Sequence, residues 1–474
     1  LADRLAGDDR EAGRALRRAT AIVSEYATAL GSLDLRAGVA GHVADLTSLG
    51  IRLALDAGDP AGVLRWSELG RGLTLHTRPA PPTDDTELAD LLSQLRKVLT
   101  ELREATTGGA DPRPLLRRQA QIEESVRALG RSGRGAAGPG LGPPTPAVLR
   151  QALGDGTLLS YVDCDGELHG VSVRRGRTVT ARLAPTADLK VEIEALLAGL
   201  RRLSRPFGPA AMLAQRQTVL ERTAARLEEL LLRPLGLVDA GPVVVVPAGP
   251  LHSLPWAVLP TLAGRPLTVT PSAALWSQAQ AQRRPPAPGG AGRVALVGGP
   301  DLPGATAEIT DLAGALPGST ALTGAAATAT AALAAMDGAA VAHVACHGDF
   351  RPENPLFSAL RLADGPVTGY DLQRLRRVPT TVVLSACDAG RTAVTPGEGL
   401  LGLSAALLSL GARTLVAPLV PVPDETTRIL MLAFHSLLAA GEPADVALAS
   451  AGDALGDGPA AYVTASAFVC LGHG

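Results

Sequence analysis

The chain has 474 residues, and its 44 Lys and Arg residues nearly balance its 46 Asp and Glu residues. This near-neutral charge argues against a nucleic-acid-binding protein, which usually carries a basic excess or a basic stripe. Hydrophobic residues make up 46% of the chain, so we expect folded domains with sizeable cores rather than global disorder.

The four cysteines are too few and too scattered for a disulfide framework, and no Cys-x-x-Cys pair indicates structural zinc. The first residues contain no apolar signal segment. The apolar stretch 399–422 is interrupted by Arg413 and Pro418, so it predicts a buried helix followed by a buried strand. We therefore expect a cytoplasmic protein that contacts neither a membrane nor nucleic acid.

The first third of the chain has helical patterns. Residues 1–80 show helical periodicity and no strand pattern, and paired helices of this kind are typical of a helical-repeat array. Residues 81–130 predict two amphipathic helices around Gly108 and Gly109, whose charged faces indicate a solvated helical hairpin. The Gly/Pro-rich segment 131–146 predicts a flexible linker.

Strand patterns begin after this linker. Residues 158–173 alternate apolar and polar side chains around an Asp-Gly dipeptide, which predicts a β-hairpin. A long helix is predicted near 216–232, and the VVVVP run at 243–247 is typical of a strand buried on both faces. A second Gly/Pro-rich break covers 283–292 and divides this region into 147–282 and 293–474.

Strand and helix patterns alternate from the second break to the end of the chain, which predicts an α/β fold with a mostly parallel sheet. The predicted strands are 294–299, 339–347, 380–387, 413–419 and 465–472. The predicted helices are near 305–316, 326–336, 399–410, 424–440 and 443–455. Asp424 is the predicted N-cap of the fourth of these helices, and Gly441 follows its end.

Two of these strand patterns end in residues suited to acyl transfer. VAHVACHGDF (341–350) contains His347 and Gly348, and VVLSACDAG (382–390) contains Cys387. Because the carboxyl ends of parallel strands border the ligand crevice, adjacent strands would bring the imidazole and the thiol together. The thiolate of Cys387 would attack a carbonyl and His347 would carry the proton. The backbone amides of Gly348 and Cys387 would stabilise the oxyanion.

Packing is the alternative role for these residues. Cysteine is among the most buried residue types, so a cysteine at the end of a strand is usually a core residue. Strand alternation directs Cys346 to the face opposite His347, which predicts a core position, and Cys164 and Cys470 have the same interpretation. His343 shares the face of His347, and we interpret it as a structural histidine. A P-loop, a G-x-S-x-G elbow and a dinucleotide-binding glycine motif are missing from the sequence.

Several motifs follow one another in the order of a known family. They are VVVVPAGPLHSLPWAVL (243–259), LTVTPSAALW (267–276), LPGATAEITDL (302–312), ACHG, NPLFSALRLADG (354–365), LSACDAG and GEGLLGLSAALLSLGARTLVAPL. On these motifs, most of residues 150–474 resembles the CHAT family, caspase-like peptidase domains that are often attached to tetratricopeptide (TPR) repeats. The resemblance implies a caspase-like α/β/α sandwich preceded by TPR-like helices at 1–80. It also implies that 147–282 is the half without catalytic residues and 293–474 the catalytic half.

The resemblance implies a cysteine endopeptidase that uses His347 and Cys387 as a dyad on protein or peptide substrates, with no metal or cofactor. It implies that the N-terminal helices gate the site or bind an activator protein, in bacterial defence or cell death. A non-catalytic interaction scaffold is the alternative function. Relatives often cut after Arg with an acidic pocket wall, and the candidates for that wall here are Asp349, Asp388, Glu398 and Asp424.

Overall fold

The N-terminal part of the chain is helical. The structure is a computed structural model that describes residues 11, 13–16, 18–22, 33–75, 86–132, 142–205, 207–237, 241–281, 292–349, 357–385, 393–395, 399–401, 407–408 and 410–474. Helices α1 (Leu33–Asp56) and α2 (Pro60–Leu75) form a pair joined by a tight turn, in which Gly58 adopts a φ of 60°. The helices are therefore confirmed, and their assignment to a TPR-like repeat stays a prediction.

The predicted helical hairpin consists of α3 (Thr86–Gly108) and α4 (Arg113–Ser132). Helix α3 buries Leu88, Leu92, Leu95 and Val98, an apolar stripe at helical spacing. The stripe packs against α4 and also against two aromatic residues of the α/β region, Phe357 and Tyr370. The hairpin is therefore not only solvated, as its charged faces predict, but also docked on the rest of the protein.

The next region contributes a β-meander and four helices. Its elements are α5 (Pro146–Leu153), β1 (Thr157–Cys164), β2 (Glu167–Arg174), β3 (Arg177–Pro185), α6 (Thr186–Leu203), α7 (Ala210–Leu231), β4 (Val243–Val246), β5 (Leu267–Val269) and α8 (Ala273–Ala281). The predicted hairpin is β1–β2, and Asp165 and Gly166 both have positive φ at its turn. Strand β3 was not predicted, because most of it is only half-buried and it carries several polar residues.

A buried ion pair holds α2 against this region. Glu68 and Arg71 lie one turn apart on α2, and Arg71 Nη1 is 3.0 Å from Glu68 Oε1. The Arg71 guanidinium also donates to Ser160 of β1, and Glu68 accepts from the Ser272 hydroxyl at 2.7 Å. Because buried charges are tolerated only when they are paired and hydrogen-bonded, these contacts define how the helical region sits on the sheet.

The last region alternates strands and helices as predicted. Its elements are β6 (Val294–Gly298), α9 (Pro303–Ala315), β7 (Thr320–Leu322), α10 (Ala329–Met336), β8 (Val341–Ala345), β9 (Gly348–Asp349), β10 (Ala359–Leu362), β11 (Gly365–Thr368), α11 (Gly369–Leu372), β12 (Thr381–Leu384), β13 (Ala393–Thr395), β14 (Gly399–Leu401), β15 (Thr414–Pro418), α12 (Asp424–Ala439), α13 (Ala444–Ala451), α14 (Pro459–Ala467) and β16 (Phe468–Gly472). The connection from β8 to β12 is not a single crossover helix. It contains a small antiparallel sheet, β11-β10-β9, and the short helix α11.

Eleven strands of the described residues form one sheet, in the order β3-β2-β1-β4-β5-β16-β15-β12-β8-β6-β7. The pairs β1–β2, β2–β3 and β15–β16 are antiparallel, and the other neighbours in the sheet are parallel. Strands β5 and β16 pair with each other, so the two halves share a single sheet. A single buried cluster extends from Leu159 of the first half to Leu384 of the second.

Strand alternation in β8 separates the two faces of the sheet. Ala342 and Val344 belong to the large core on one face, whereas Val341 and Ala345 pack with α9 on the other. Helices α9 and α12 lie together on this second face. Helices therefore cover both sides of the sheet in this region, as a caspase-like sandwich requires.

The helix predicted from residue 399 is wrong at its start. Gly399–Leu401, the predicted beginning of a helix, is strand β14 and pairs antiparallel with Ala393–Thr395. A Pro-Gly dipeptide at 396–397, a strong turn signal, precedes this strand, and glycine is a poor helix former. The strand predicted at 465–472 begins only at Phe468, because Ala465–Ala467 complete α14.

Candidate active site

The two strands that lead to the predicted dyad are neighbours in the sheet. Strand β12 pairs in parallel with β8, with Leu384 opposite Val344, and the Ser385 amide donates to the Val344 carbonyl at 2.9 Å. Strand β8 is followed by His347, and β12 leads towards Cys387, which lies outside the described residues. The predicted adjacency of the strands is confirmed, and the meeting of imidazole and thiol stays a prediction.

The His347 side chain is half-buried at the carboxyl end of β8. Its Nε2 lies 3.4 Å from the carbonyl oxygen of Asp301, and its own carbonyl accepts from the Arg361 amide at 2.8 Å. Because a carbonyl only accepts, Nε2 carries the proton when it bonds to Asp301. The lone pair is then on Nδ1, and this nitrogen is the one able to take a proton from a thiol.

The loop between β6 and α9 forms the wall beside His347. The Gly299 amide donates to the Ala345 carbonyl at 2.8 Å, and Asp301 adopts a φ of 58°, uncommon for a residue with a side chain. A Cβ added to Gly299 would lie 2.5 Å from Cys346 Cβ. Glycine at 299 therefore allows this wall to pack directly against the end of β8.

Gly348 and Asp349 form β9 and pair with β10, with Gly348 opposite Leu360 and Asp349 opposite Ala359. The predicted oxyanion donor Gly348 thus directly follows the candidate base and has no side chain to block a substrate. Its role as a donor stays a prediction, as does the role of the Cys387 amide.

The four acidic residues predicted for a substrate pocket have different positions. Asp388 and Glu398 lie outside the described residues, and Asp349 is located only by its backbone in β9. Asp424 is the first residue of α12, and Pro423, not Asp424, is the N-cap. The exposed Asp424 carboxylate approaches the Cα of Gly304, at the start of α9. Asp424 therefore borders the loop that contacts His347.

A chain of buried polar side chains lies on the α9 and α12 face of the sheet. His343 Nε2 is 2.8 Å from Glu308 Oε1, an ion-pair distance, although neither atom has the geometry of a hydrogen bond. The Ser385 hydroxyl donates to Glu308 Oε2 at 3.3 Å, and His343 Nδ1 is 3.0 Å from His435 Nε2. Burial, with a smaller contribution from His343, lowers the pKa of His435 well below its usual value, so this ring is neutral near pH 7.

The structural interpretation of His343 is therefore correct, but its partners were not predicted. One signal was available, because Glu308 lies on α9 among the buried residues Ala305, Ile309 and Leu312. A carboxylate within the apolar stripe of a helix indicates a buried polar contact. The predictions for Cys346, Cys164 and Cys470 are also correct, since all three are buried.

A groove of about 490 Å³ lies between α3 and the small sheet. Arg103 of α3 and Arg361 of β10 are among its lining residues. Arg103 Nη1 is 3.3 Å from Asp301 Oδ2, so the groove reaches the loop that contacts His347. Within the described residues, no group of three or more His, Cys, Asp or Glu side chains is arranged to hold a metal ion.

A comparison of the chain with protein families tests the predicted resemblance. The family profile of the CHAT domain matches residues 221–472, more than half of the chain. The chain belongs to the CHAT domain family. The predicted resemblance to the CHAT family is therefore confirmed. A comparison with curated proteins gave no match.

Solved structures support the fold of this CHAT protein. Two crystal structures of the Saccharomyces cerevisiae separase–securin complex match it at 11% identity, with TM-scores of 0.53 and 0.51. The match covers 92% of this chain and 37% of the separase chain, so the protein spans little more than a third of that length. At this identity the likeness establishes the caspase-like fold alone. None of the helices that the structure describes is both long and apolar enough to span a membrane.

Proposed function

We propose that this CHAT protein is a cysteine endopeptidase, with Cys387 as nucleophile and His347 as acid and base. The observation that carries the proposal is the parallel pairing of β8 with β12, the strands that lead to these two residues. The lone pair available on Nδ1 of His347 also suits a general base. The fold is of the caspase-like type, in which such a dyad would work without a metal or cofactor.

The reaction begins when the Cys387 thiol transfers its proton to His347 and the thiolate attacks the carbonyl carbon of a peptide bond. The Gly348 and Cys387 amides donate to the oxyanion of the tetrahedral intermediate. The C–N bond then breaks, and the leaving amine takes the proton from His347. A water molecule, deprotonated by His347, hydrolyses the thioester, which releases the acid product and restores the thiol.

An electrophilic peptide probe tests the proposal. Wild-type protein should form a covalent adduct at Cys387, and Cys387→Ala should not react. Cys164→Ala is the matched control, because Cys164 is a buried thiol of the other half and its loss should leave labelling unchanged. Equal labelling of wild type and Cys387→Ala would instead support the alternative, a non-catalytic interaction scaffold.

The scaffold alternative has one observation in its favour. Large apolar side chains on and near α6 and α7 are exposed, among them Val191, Phe207 and Val219, and Phe207 is 86% exposed. Each of these side chains adds exposed apolar surface that a partner protein could cover. Such a surface would also be compatible with a peptidase that binds a partner.

We also propose that the N-terminal helices regulate the site and bind an activator protein. Arg103 of α3 pairs with Asp301, whose carbonyl is 3.4 Å from His347 Nε2. Arg103→Ala should therefore change the rate at which the probe labels Cys387. Arg113→Ala is the control, since the side chain of Arg113 in α4 forms an exposed 4.0 Å pair with Asp111. Equal labelling rates in wild type and both variants would count against regulation through this contact.

The finer parts of the proposal rest on family likeness and composition. A cytoplasmic location and a role in bacterial defence or cell death are both proposed. The acidic candidates Asp349, Asp388, Glu398 and Asp424 favour substrates with Arg at the cleaved bond. A probe series that differs only at this position, with Arg, Leu or Asp, would test the preference, and faster labelling by the Leu or Asp probe would exclude it.

A further inference from the structure

Glu308 connects the two strands that lead to the proposed dyad. The side chain is almost fully buried, and its two oxygens face different strands. Oε1 lies 2.8 Å from His343 of β8, and Oε2 accepts from Ser385, which directly follows β12. Burying a carboxylate is costly unless nearby groups compensate for its lost hydration. A carboxylate that is costly to bury therefore lies at the junction of β8 and β12.

The positions of its two partners relate this contact to the active site. Ser385 precedes Cys387 by two residues, and His343 precedes His347 by four. Any rotation or sliding of one strand end against the other would change the separation of the residues that follow. In enzymes, a displacement of about 1 Å at reacting groups can reduce the rate by about a hundredfold.

The chain of contacts continues beyond Glu308 to α12. His343 Nδ1 meets His435 Nε2 at 3.0 Å, and the His435 ring is neutral because burial lowers its pKa. The chain therefore connects α9, β8, the end of β12 and α12. The helices on this face are coupled by it to both strand ends.

We propose that Glu308 is a positioning residue for the reaction, and that it aligns the ends of β8 and β12 through His343 and Ser385. This proposal rests on the proposed peptidase function. Glu308 acts through His343 and Ser385, so it is not itself a catalytic residue. Its carboxylate supplies an attraction to both strands that an apolar side chain of the same size would not provide.

The test compares Glu308→Gln, which keeps the size of the side chain but removes its charge, with Glu308→Asp, which keeps the charge. Glu228→Gln is the matched control, because Glu228 of α7 also accepts a hydroxyl bond, from Thr261 at 2.7 Å, in the other half. The maximal rate of Cys387 labelling by the peptide probe and the half-saturating probe concentration are measured for each variant. Circular dichroism establishes that each variant is folded.

Glu308→Gln should lower the maximal labelling rate by about 10- to 100-fold, as is typical when a supporting residue of a site is removed. The half-saturating probe concentration should change by less than about threefold, because the substitution does not alter how tightly the probe binds before it reacts. Glu308→Asp should label at least about threefold faster than Glu308→Gln, and Glu228→Gln should match wild type. Ser385→Ala, which removes a single hydrogen bond, should slow labelling by about three- to tenfold if Glu308→Gln does not fold.

Two outcomes of the probe-labelling experiment would overturn the proposal. In the first, Glu308→Gln labels Cys387 at the wild-type rate. In the second, the Glu228→Gln control loses as much labelling rate as Glu308→Gln does. Alkylation of Cys387 by iodoacetamide, which does not require peptidase activity, distinguishes failure of the positioning proposal from failure of the peptidase proposal. If wild type resists the peptide probe, the peptidase proposal fails, and an unchanged alkylation rate in Glu308→Gln would then also exclude positioning. A slower alkylation rate in that variant would still support positioning.

Discussion

Removal of Arg96 should release the helical hairpin from the α/β region. Arg96 Nη1 of α3 lies 2.6 Å from Oδ1 of Asp371, a carboxylate that is fully buried. The other oxygen of Asp371 accepts from the amide and the hydroxyl of Thr368, each at 2.9 Å, which completes the capping box of α11. In Arg96→Ala, Asp371 keeps its bonds to Thr368 but loses its buried cation.

The size of the effect follows from burial. Breaking a buried pair by removing one partner costs about 3–5 kcal/mol, whereas an exposed pair contributes about 0–1 kcal/mol. Arg96 is mostly buried, with 14% of its side chain exposed. Arg103→Ala, in the same helix, removes the exposed pair with Asp301 and is the matched control for stability. We therefore expect a loss of about 3 kcal/mol for Arg96→Ala and less than about 1 kcal/mol for Arg103→Ala.

Hydrogen exchange followed by mass spectrometry measures this local stability directly. A loss of about 3 kcal/mol should make amide hydrogen exchange about 100-fold faster in α3 and in residues 365–372. The β1–β3 meander provides an internal reference, because it does not contact this pair. Less than a tenfold difference between Arg96→Ala and Arg103→Ala would refute the reasoning.

Two further predictions concern acid stability and close packing. Burial, with a smaller contribution from a nearby arginine, lowers the pKa of both His252 and His473 from 6.5 to about 4. The unfolded chain therefore binds protons that the native protein does not, and the free energy of unfolding should fall as the pH drops from about 6.5 to about 4. The melting temperature of His252→Asn should accordingly fall less between pH 7 and pH 5 than that of wild type. An equal fall in both proteins would contradict this. Gly299→Ala should destabilise the protein by about 1–3 kcal/mol and slow labelling of Cys387, because the new methyl group would meet Cys346 Cβ at 2.5 Å. Gly314→Ala, in open space on α9, should be neutral or stabilising in urea unfolding, and equal behaviour of the two glycine variants would argue against the packing.

Much of the sheet could be predicted from sequence, because buried parallel strands are short apolar runs. Val243–Val246 and Thr381–Leu384 are buried along their whole length, and both were predicted as strands from their apolar runs. Strand β3 escaped prediction because it is near the surface, where polar residues obscure the alternation. The β13–β14 hairpin escaped because the apolar residues after Gly399 were interpreted as a helix, although a turn signal precedes them.

Less of the candidate site could be predicted, because its contacts join residues distant in sequence. The sequence indicated His347 through a strand that ends in a reactive residue, but not the loop at Asp301 that contacts its ring. Glu308 and Ser385 are 77 positions apart, and periodicity within one helix or strand does not indicate such a pair. Only the order of the strands in the sheet brings β8 beside β12, where Glu308 of α9 reaches both strand ends.

The same architecture indicates how the N-terminal helices would act on the site. The α3–α4 hairpin covers Phe357 and Tyr370, so deletion of the hairpin would expose a core as well as remove a regulator. A change in activity after deletion would therefore not separate the two effects. Strand β14, which follows the Cys387 segment, lies beside α2, and Arg103 of α3 contacts the loop next to His347. The helical region thus touches the loop beside His347 and a strand that follows Cys387 in the sequence. Single substitutions at these contacts, which leave the core covered, are the appropriate perturbation.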